Sequence, residues 1–233
     1  MGGECVGAPT PPPVFFFSRL SERGFCRRVR STSEPFAYMT LAAPSVYLAG
    51  PDVFYPHALA HLDRKAQVCR THGLVPLVPV DNELEEASAG TPEALALGIY
   101  RGNLAQMAQA DAIIANLTPF RGPHMDPGTA FEVGYFAALG KPVVCYTEHD
   151  QPLIDRVDAW SGEGQMSLSS QGEVRDVEGH LVENFGLREN LMIEGAALHQ
   201  PQASARLGRQ ASFECFAQFE TAVATLAAYF RAL

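Results

Sequence analysis

At 233 residues, with 47% apolar and 18% charged side chains, the chain has ordinary globular composition and enough length to bury a sizeable core, which excludes disorder throughout. A formal charge of −9 argues against a nucleic-acid polymer as partner, because a phosphate backbone asks for clustered Lys and Arg. No apolar run reaches membrane-spanning length, and Cys5, Cys26, Cys69, Cys145 and Cys215 form no CxxC pair, so a reduced, cytoplasmic protein is expected.

The segment 1–38 differs from the rest. It mixes a proline cluster, a Phe-Phe-Phe run and five arginines without a usable period. A transit peptide would be Arg- and Ser-rich but poor in acids, whereas Glu4, Glu22 and Glu34 fall here. The preferred expectation is an extra, poorly ordered extension, with translation starting naturally at Met39 and the folded domain spanning 39–233.

From Met39 the chain alternates strand and helix. Ser45–Gly50 reads as a first strand ended by a Gly-Pro turn. Pro56–His72 has helical spacing, with Leu59, Leu62, Ala66 and Cys69 on one face and Gly73 as the stop. Leu74–Val80 reads as a second strand, placed towards a sheet edge by its two prolines. Thr91-Pro92-Glu93 opens a helix running to about Gln109. Asp111–Leu117 is a buried strand, followed by a Pro/Gly loop, an apolar helix containing Glu132, and the strand Lys141–Thr147, in which Cys145 is a buried thiol. Gly172–Gly179 suggests a small hairpin. A terminal amphipathic helix turns Phe213, Phe216, Val223 and Phe230 towards the core or a partner. This alternation implies an α/β, doubly wound parallel sheet with helices on both faces. Ligands of such sheets bind beyond the carboxyl ends of the strands, here around Gly50–Phe54, Asp81–Glu83 and Thr118–Gly128. Dinucleotide and P-loop glycine motifs are absent.

The loop and helix from Gly122 carry two carboxylates, Asp126 and Glu132. Locally, Thr129-Ala-Phe-Glu132 matches a capping box, with Thr129 as cap and Glu132 in the first turn reaching back to its N–H. The chemical alternative sets both acids in one cleft. A helix N-terminus favours an ionised Glu132, and Gly128 admits a substrate close to the backbone. Two carboxylates across a glycosidic bond divide the work between attack on carbon and handling of the leaving group's proton. Local spacing leaves both readings open.

Tyr47–Phe54 (YLAGPDVF), Val78–Glu83 (VPVDNE), the run from Gly102 to Val143 with its D-x-G-T-x-F-E-x-G block, and Glu189–Ile193 (ENLMI) together resemble the nucleoside 2-deoxyribosyltransferase family, in the same order. The resemblance implies a flavodoxin-like fold, no cofactor, and base exchange between 2′-deoxynucleosides and free nucleobases through a covalent deoxyribosyl ester. On that basis Glu132 is the nucleophile, Asp126 the acid and base, and Tyr47 the group that orients Glu132. Asn190 reaches a neighbouring subunit's site, which makes the protein a homo-oligomer. Glu83 lies near the base. Asn103 stands where some members have Asp, which leaves its part in proton handling open beside simple base binding. Physically, a sugar without its 2′-hydroxyl readily develops oxocarbenium character, and a neutral base needs a proton to leave.

Other residues have competing explanations. Asp52 either meets the substrate or satisfies the Gly-Pro turn. His57 and His61 stand four apart as zinc pairs do, yet no third ligand accompanies them, so no metal is expected. Arg121 contacts substrate or balances local acids. Trp160 suits core or interface packing. Two rivals stand beside the transferase: an N-glycoside hydrolase acting on nucleotide 5′-monophosphates, and a nucleoside-binding module without turnover.

Overall fold

The structure is a computed structural model, which describes residues 42–79, 90–149, 151–162, 164–198 and 216–233. All of these fall in one unit, Leu41–Leu233. Four parallel strands, β1 (Ser45–Ala49), β2 (Val75–Leu77), β3 (Ala112–Asn116) and β4 (Val143–Tyr146), form a sheet in the order β2-β1-β3-β4. Every residue of β3 and β4 is buried, as a parallel sheet covered on both faces requires. The short β2, with Pro76 inside it, takes the edge.

Strand alternation divides the core in two. Val46, Leu48, Ile114, Val144 and Tyr146 pack on one face with α1 (Ala58–Thr71) and the terminal α6 (Ala217–Arg231). Tyr47, Ala49, Ile113, Ala115, Val143 and Cys145 pack on the other with Met107 of α2 (Pro92–Gln109), Val133 and Phe136 of α3 (Pro127–Ala138) and Ala197 of α5 (Leu191–Leu198). This is the doubly wound architecture expected of the alternation. Strand order reverses at β1 and β3, and ligands of open α/β sheets bind at that switch point, beyond the carboxyl ends. Tyr47 pairs with Ile113 there.

A local signal accounts for the start of α2. Thr91 caps α2, its Oγ1 accepting from the Ala94 N–H at 3.2 Å, with Pro92 in the first turn. Phe216, Phe219, Val223 and Leu226 bury the inner face of α6; Phe213 lies outside the described residues. Three local expectations differ. Leu59 is 71% exposed, and the buried stripe of α1 is Leu62, Lys65, Ala66 and Cys69, a regular i, i+3, i+4, i+7 set containing a lysine. The hairpin begins earlier than Gly172: β5 (Ser167–Leu168) pairs with β6 (Val174–Arg175), and Asp176–Gly179 is the turn before a bridge from Arg175 to Leu181. Trp160, on α4 (Leu153–Ser161), is 67% exposed, so it packs no core.

Candidate active site

α3 does not begin where a capping box would start it. Asp126 is its N-cap, with Oδ2 accepting from the Thr129 N–H at 2.9 Å and the Thr129 hydroxyl at 3.1 Å. Pro127 is the first helical residue, suited by its fixed φ and missing N–H. Glu132 therefore lies in the second turn, and no acid occupies the first. A cap at Asp126 wins because its short carboxylate satisfies the orphan N–H that Thr129 would otherwise present. The carboxylate of Glu132 turns instead to the sheet, where the Tyr47 hydroxyl donates to its Oε1 at 2.7 Å.

The electrostatics of this pair follow from burial. Tyr47 is fully buried, its ring against Phe136 at 6.0 Å. Burial and the adjacent Glu132 charge push its phenol far above the ordinary range, so it remains a donor. Desolvation raises Glu132 to about 7; the Tyr47 hydrogen bond opposes this, and the charge of Asp126 adds to it. The two acids are thus near enough to sense one another. One carboxylate sits in the second turn with its proton poised near neutrality, and another stands at the helix start.

The remaining expected residues have varied placements. Gly128, in the first turn, is exposed, and a Cβ there would lie 3.0 Å from Asp126 Oδ2. The absence of a side chain therefore gives room to the carboxylate before it gives room to a ligand. Asn103 is half-buried on α2, one turn before the core residue Met107. Asn190 stands immediately before α5, its Nδ2 donating to Glu183 Oε1 at 2.6 Å and its Oδ1 accepting from the Met192 N–H at 3.0 Å. None of these bonds runs to the Tyr47–Glu132 pair. Glu83 lies outside the described residues.

Asp52 is drawn into the opposite face of the sheet. It is 3% exposed and receives Lys65 Nζ at 2.5 Å, His61 Nε2 at 2.7 Å and Asn116 Nδ2 at 3.1 Å. Burial works to raise its carboxyl, but Lys65, His61 and Asn116 outweigh it and hold the group well below the usual carboxylate range. Gly50 makes this packing possible, since a Cβ there would lie 2.4 Å from Asp52 Oδ2 and 2.7 Å from Asn116 Cβ. Lys65 also donates to the Tyr146 hydroxyl at 2.5 Å. The network floors a cavity of about 410 Å³ at the carboxyl ends of the strands, with Phe54, Phe120 and Arg121 among its walls. His61 is thereby committed to Asp52, and Arg121 lies over the Phe120 and Phe54 rings at 4.6 and 5.3 Å. Sequence reading missed Lys65, although a lysine within an apolar helical stripe was the available signal.

A family model described as nucleoside 2-deoxyribosyltransferase matches residues 46–192, from β1 through the start of α5. An uncharacterised protein of Schizosaccharomyces pombe is 34% identical over 162 residues, covering 65% of this chain and 76% of that one. The solved 2-desoxiribosyltransferase from Leishmania mexicana is 31% identical, with a TM-score of 0.52 over 77% of this chain and 97% of its own. The solved 2-deoxyribosyltransferase from Bacillus psychrosaccharolyticus is 30% identical over 44% of this chain and 72% of its own, with a TM-score of 0.37. The matched span contains the parallel sheet, the Asp126-capped helix and the Tyr47–Glu132 pair, and on that match the chain belongs to the nucleoside 2-deoxyribosyltransferase family.

Proposed function

We propose that this protein is a nucleoside 2-deoxyribosyltransferase that exchanges the base of 2′-deoxynucleosides by double displacement at Glu132. The observation that carries this reading is the Tyr47–Glu132 hydrogen bond of 2.7 Å at the strand-order reversal, six residues beyond a second carboxylate at the helix cap. Tyr47 occupies Oε1 and fixes the carboxylate's orientation, which leaves Oε2 to attack C1′. As the Oε2–C1′ bond forms, the C1′–N bond breaks and Asp126 delivers a proton to the departing base. The acceptor base then attacks C1′ from the opposite face, returns a proton to Asp126 and frees Glu132. Two inversions retain the anomeric configuration.

No helix among the described residues is long and apolar enough to cross a membrane. The substrates are 2′-deoxynucleosides and free nucleobases, no cofactor takes part, and a cytoplasmic setting with 39–233 as the catalytic domain fits a salvage exchange. Homo-oligomerisation is supported by exposed Leu97, Ile99 and Tyr100 on α2, with Phe131 of α3 packed against Tyr100 at 6.3 Å.

Chromatography of the protein incubated with 2′-deoxyinosine and adenine, beside a Glu132→Ala control, tests the proposal. Deoxyadenosine formed only by the wild type supports transfer at Glu132. Free deoxyribose without deoxyadenosine, here or with a 5′-monophosphate donor, would move the protein to the hydrolases. Absence of turnover with any donor would leave a nucleoside-binding module.

A further inference from the structure

Among the described residues, two buried carboxylates lie outside the proposed catalytic pair, and their partners differ in kind. Asp52 is held by residues of α1 and β3 that pack beneath it. Glu189 is 1% exposed, and two of its partners, His124 and Met125, lie in the loop that carries Asp126. Its Oε2 accepts the Met125 N–H at 2.8 Å, and its Oε1 accepts from His124 Nδ1 at 2.8 Å. Oε1 also accepts the Asn190 N–H at 3.0 Å, and Arg156 Nη2 approaches Oε2 at 3.3 Å. Arg156 in turn donates to the carbonyls of Pro123 at 2.8 Å and Gln151 at 3.0 Å.

Pro123, His124 and Met125, three consecutive residues, are therefore held by two side chains from distant parts of the sequence. Asp126 follows directly, and its own bonds to Thr129 fix the other side of the turn. Burial would raise the Glu189 carboxyl, but His124 and the Asn190 and Met125 N–H groups outweigh it and keep the group ionised. Burial lowers Arg156, opposed by Glu189. A buried charge pair at 3.3 Å with further hydrogen bonds on each partner is costly to break and resists displacement. An acid that must meet a leaving nitrogen needs that rigidity, since a misplacement of about 1 Å can cost roughly a hundredfold in rate.

We infer that Glu189, held by Arg156, is a positioning residue that fixes the Pro123–Met125 segment and so aims Asp126 at the nitrogen of the leaving base. The inference rests on the proposed transferase chemistry and adds to it a residue that touches neither sugar nor base. Glutamine at this position keeps the shape and one acceptor, but its NH₂ faces the N–H groups that the carboxylate accepted. The loop loses an anchor while the Tyr47–Glu132 pair, on β1 and α3, keeps its own.

Leaving-group dependence separates this role from a general loss of structure. A natural 2′-deoxynucleoside needs a proton on its base, whereas from 4-nitrophenyl 2-deoxyriboside the C1′–O bond breaks to release 4-nitrophenolate, a stable anion that needs none. Wild type, Glu189→Gln, Glu189→Asp and Arg156→Lys are compared on both donors, with thermal melting as a check on folding. Glu189→Gln is expected to lower kcat on 2′-deoxyinosine by roughly ten- to a hundredfold. The same variant is expected to lose less than about threefold on the nitrophenyl donor, with KM little changed. Glu189→Asp restores part of the nucleoside rate if its carboxylate reaches the Met125 N–H. Equal losses on both donors, or no loss on either, would overturn the positioning role while leaving Glu132 as nucleophile. Failure of the wild type to turn over either donor would instead remove the transferase reading, and this inference with it. Should Glu189→Gln not fold, His124→Ala serves in its place, since it deletes one partner of the same carboxylate from a side chain that is 55% exposed. The same unequal loss, smaller in size, is then expected, and equal losses on both donors would overturn the inference.

Discussion

At the scale of single residues, the proposed mechanism makes the proton on Glu132 couple stability to activity. Its folded-state value of about 7 lies above the ordinary 4.5, so the native state holds this proton more tightly than the unfolded chain. The contribution to stability is fully present below about pH 4.5 and is lost as pH rises through about 7. In the proposed mechanism activity has the opposite sign, because only the ionised carboxylate attacks. The acidic limb of kcat/KM is expected near pH 7, and Glu132→Gln should melt higher than wild type at pH 8, by the equivalent of about 1–3 kcal/mol, but not at pH 4.5. Melting curves that keep the same separation at both pH values would contradict the assignment. Tyr47→Phe provides an independent check, since it removes the hydrogen bond that opposes desolvation. Its acidic limb should move above that of the wild type, with kcat down by roughly tenfold or more. An unmoved limb would mean that the hydroxyl does not act on Glu132.

At the scale of elements, Asp126 caps α3 and, in the proposed mechanism, also handles the proton of the leaving base. Asp126 caps the helix through one carboxylate, so its replacement removes two effects at once. Asparagine caps as well as aspartate but carries no titratable proton, whereas alanine does neither. Asp126→Asn is therefore expected to melt within a few tenths of a kcal/mol of wild type while transfer falls by about 10²-fold or more, and Asp126→Ala should lose a further ~1 kcal/mol of stability. Calorimetry and single-turnover rates on the two variants separate the roles; retained transfer in Asp126→Asn would remove Asp126 from proton handling. The same helix shows what a sequence discloses. Strand and helix order, the edge position of β2 and the capping of α2 were legible because periodicity, proline and Thr-Pro act over a few residues. The start of α3 was misread because Asp126 and Thr129 are both competent caps, and only the turn after Met125 decides between them. Glu189 was hidden for a different reason. Its partners lie 33 and 65 positions away, and no local pattern marks a carboxylate destined for burial. The Tyr47–Glu132 bond spans 85 positions and was expected only through family resemblance.

At the scale of the whole molecule, the proposed site turns on how the chain meets its copies. α2 has eighteen residues, of which only Met107 is buried, while Leu97, Ile99 and Tyr100 stand exposed beside Phe131. A helix that turns so much apolar surface outwards calls for a partner, and a second copy is the expected one. Asn190 bears on the same point from the other side, since its amide is committed to Glu183 within its own chain and has no bond to the Tyr47–Glu132 pair. If it completes a neighbour's site, two inactive variants should rescue each other. Glu132→Ala lacks the nucleophile but presents an intact Asn190, and Asn190→Ala presents the reverse. Refolded together, they form mixed oligomers in which some sites draw each residue from an intact chain, so transfer activity returns although neither variant has it alone. Light scattering on each variant must first show the oligomeric state of the wild type. Leu97→Glu with Tyr100→Glu should then shift that state towards monomer and abolish both transfer and rescue. A fully active monomer would place every catalytic group within one chain and return Asn190 to its observed role at the start of α5.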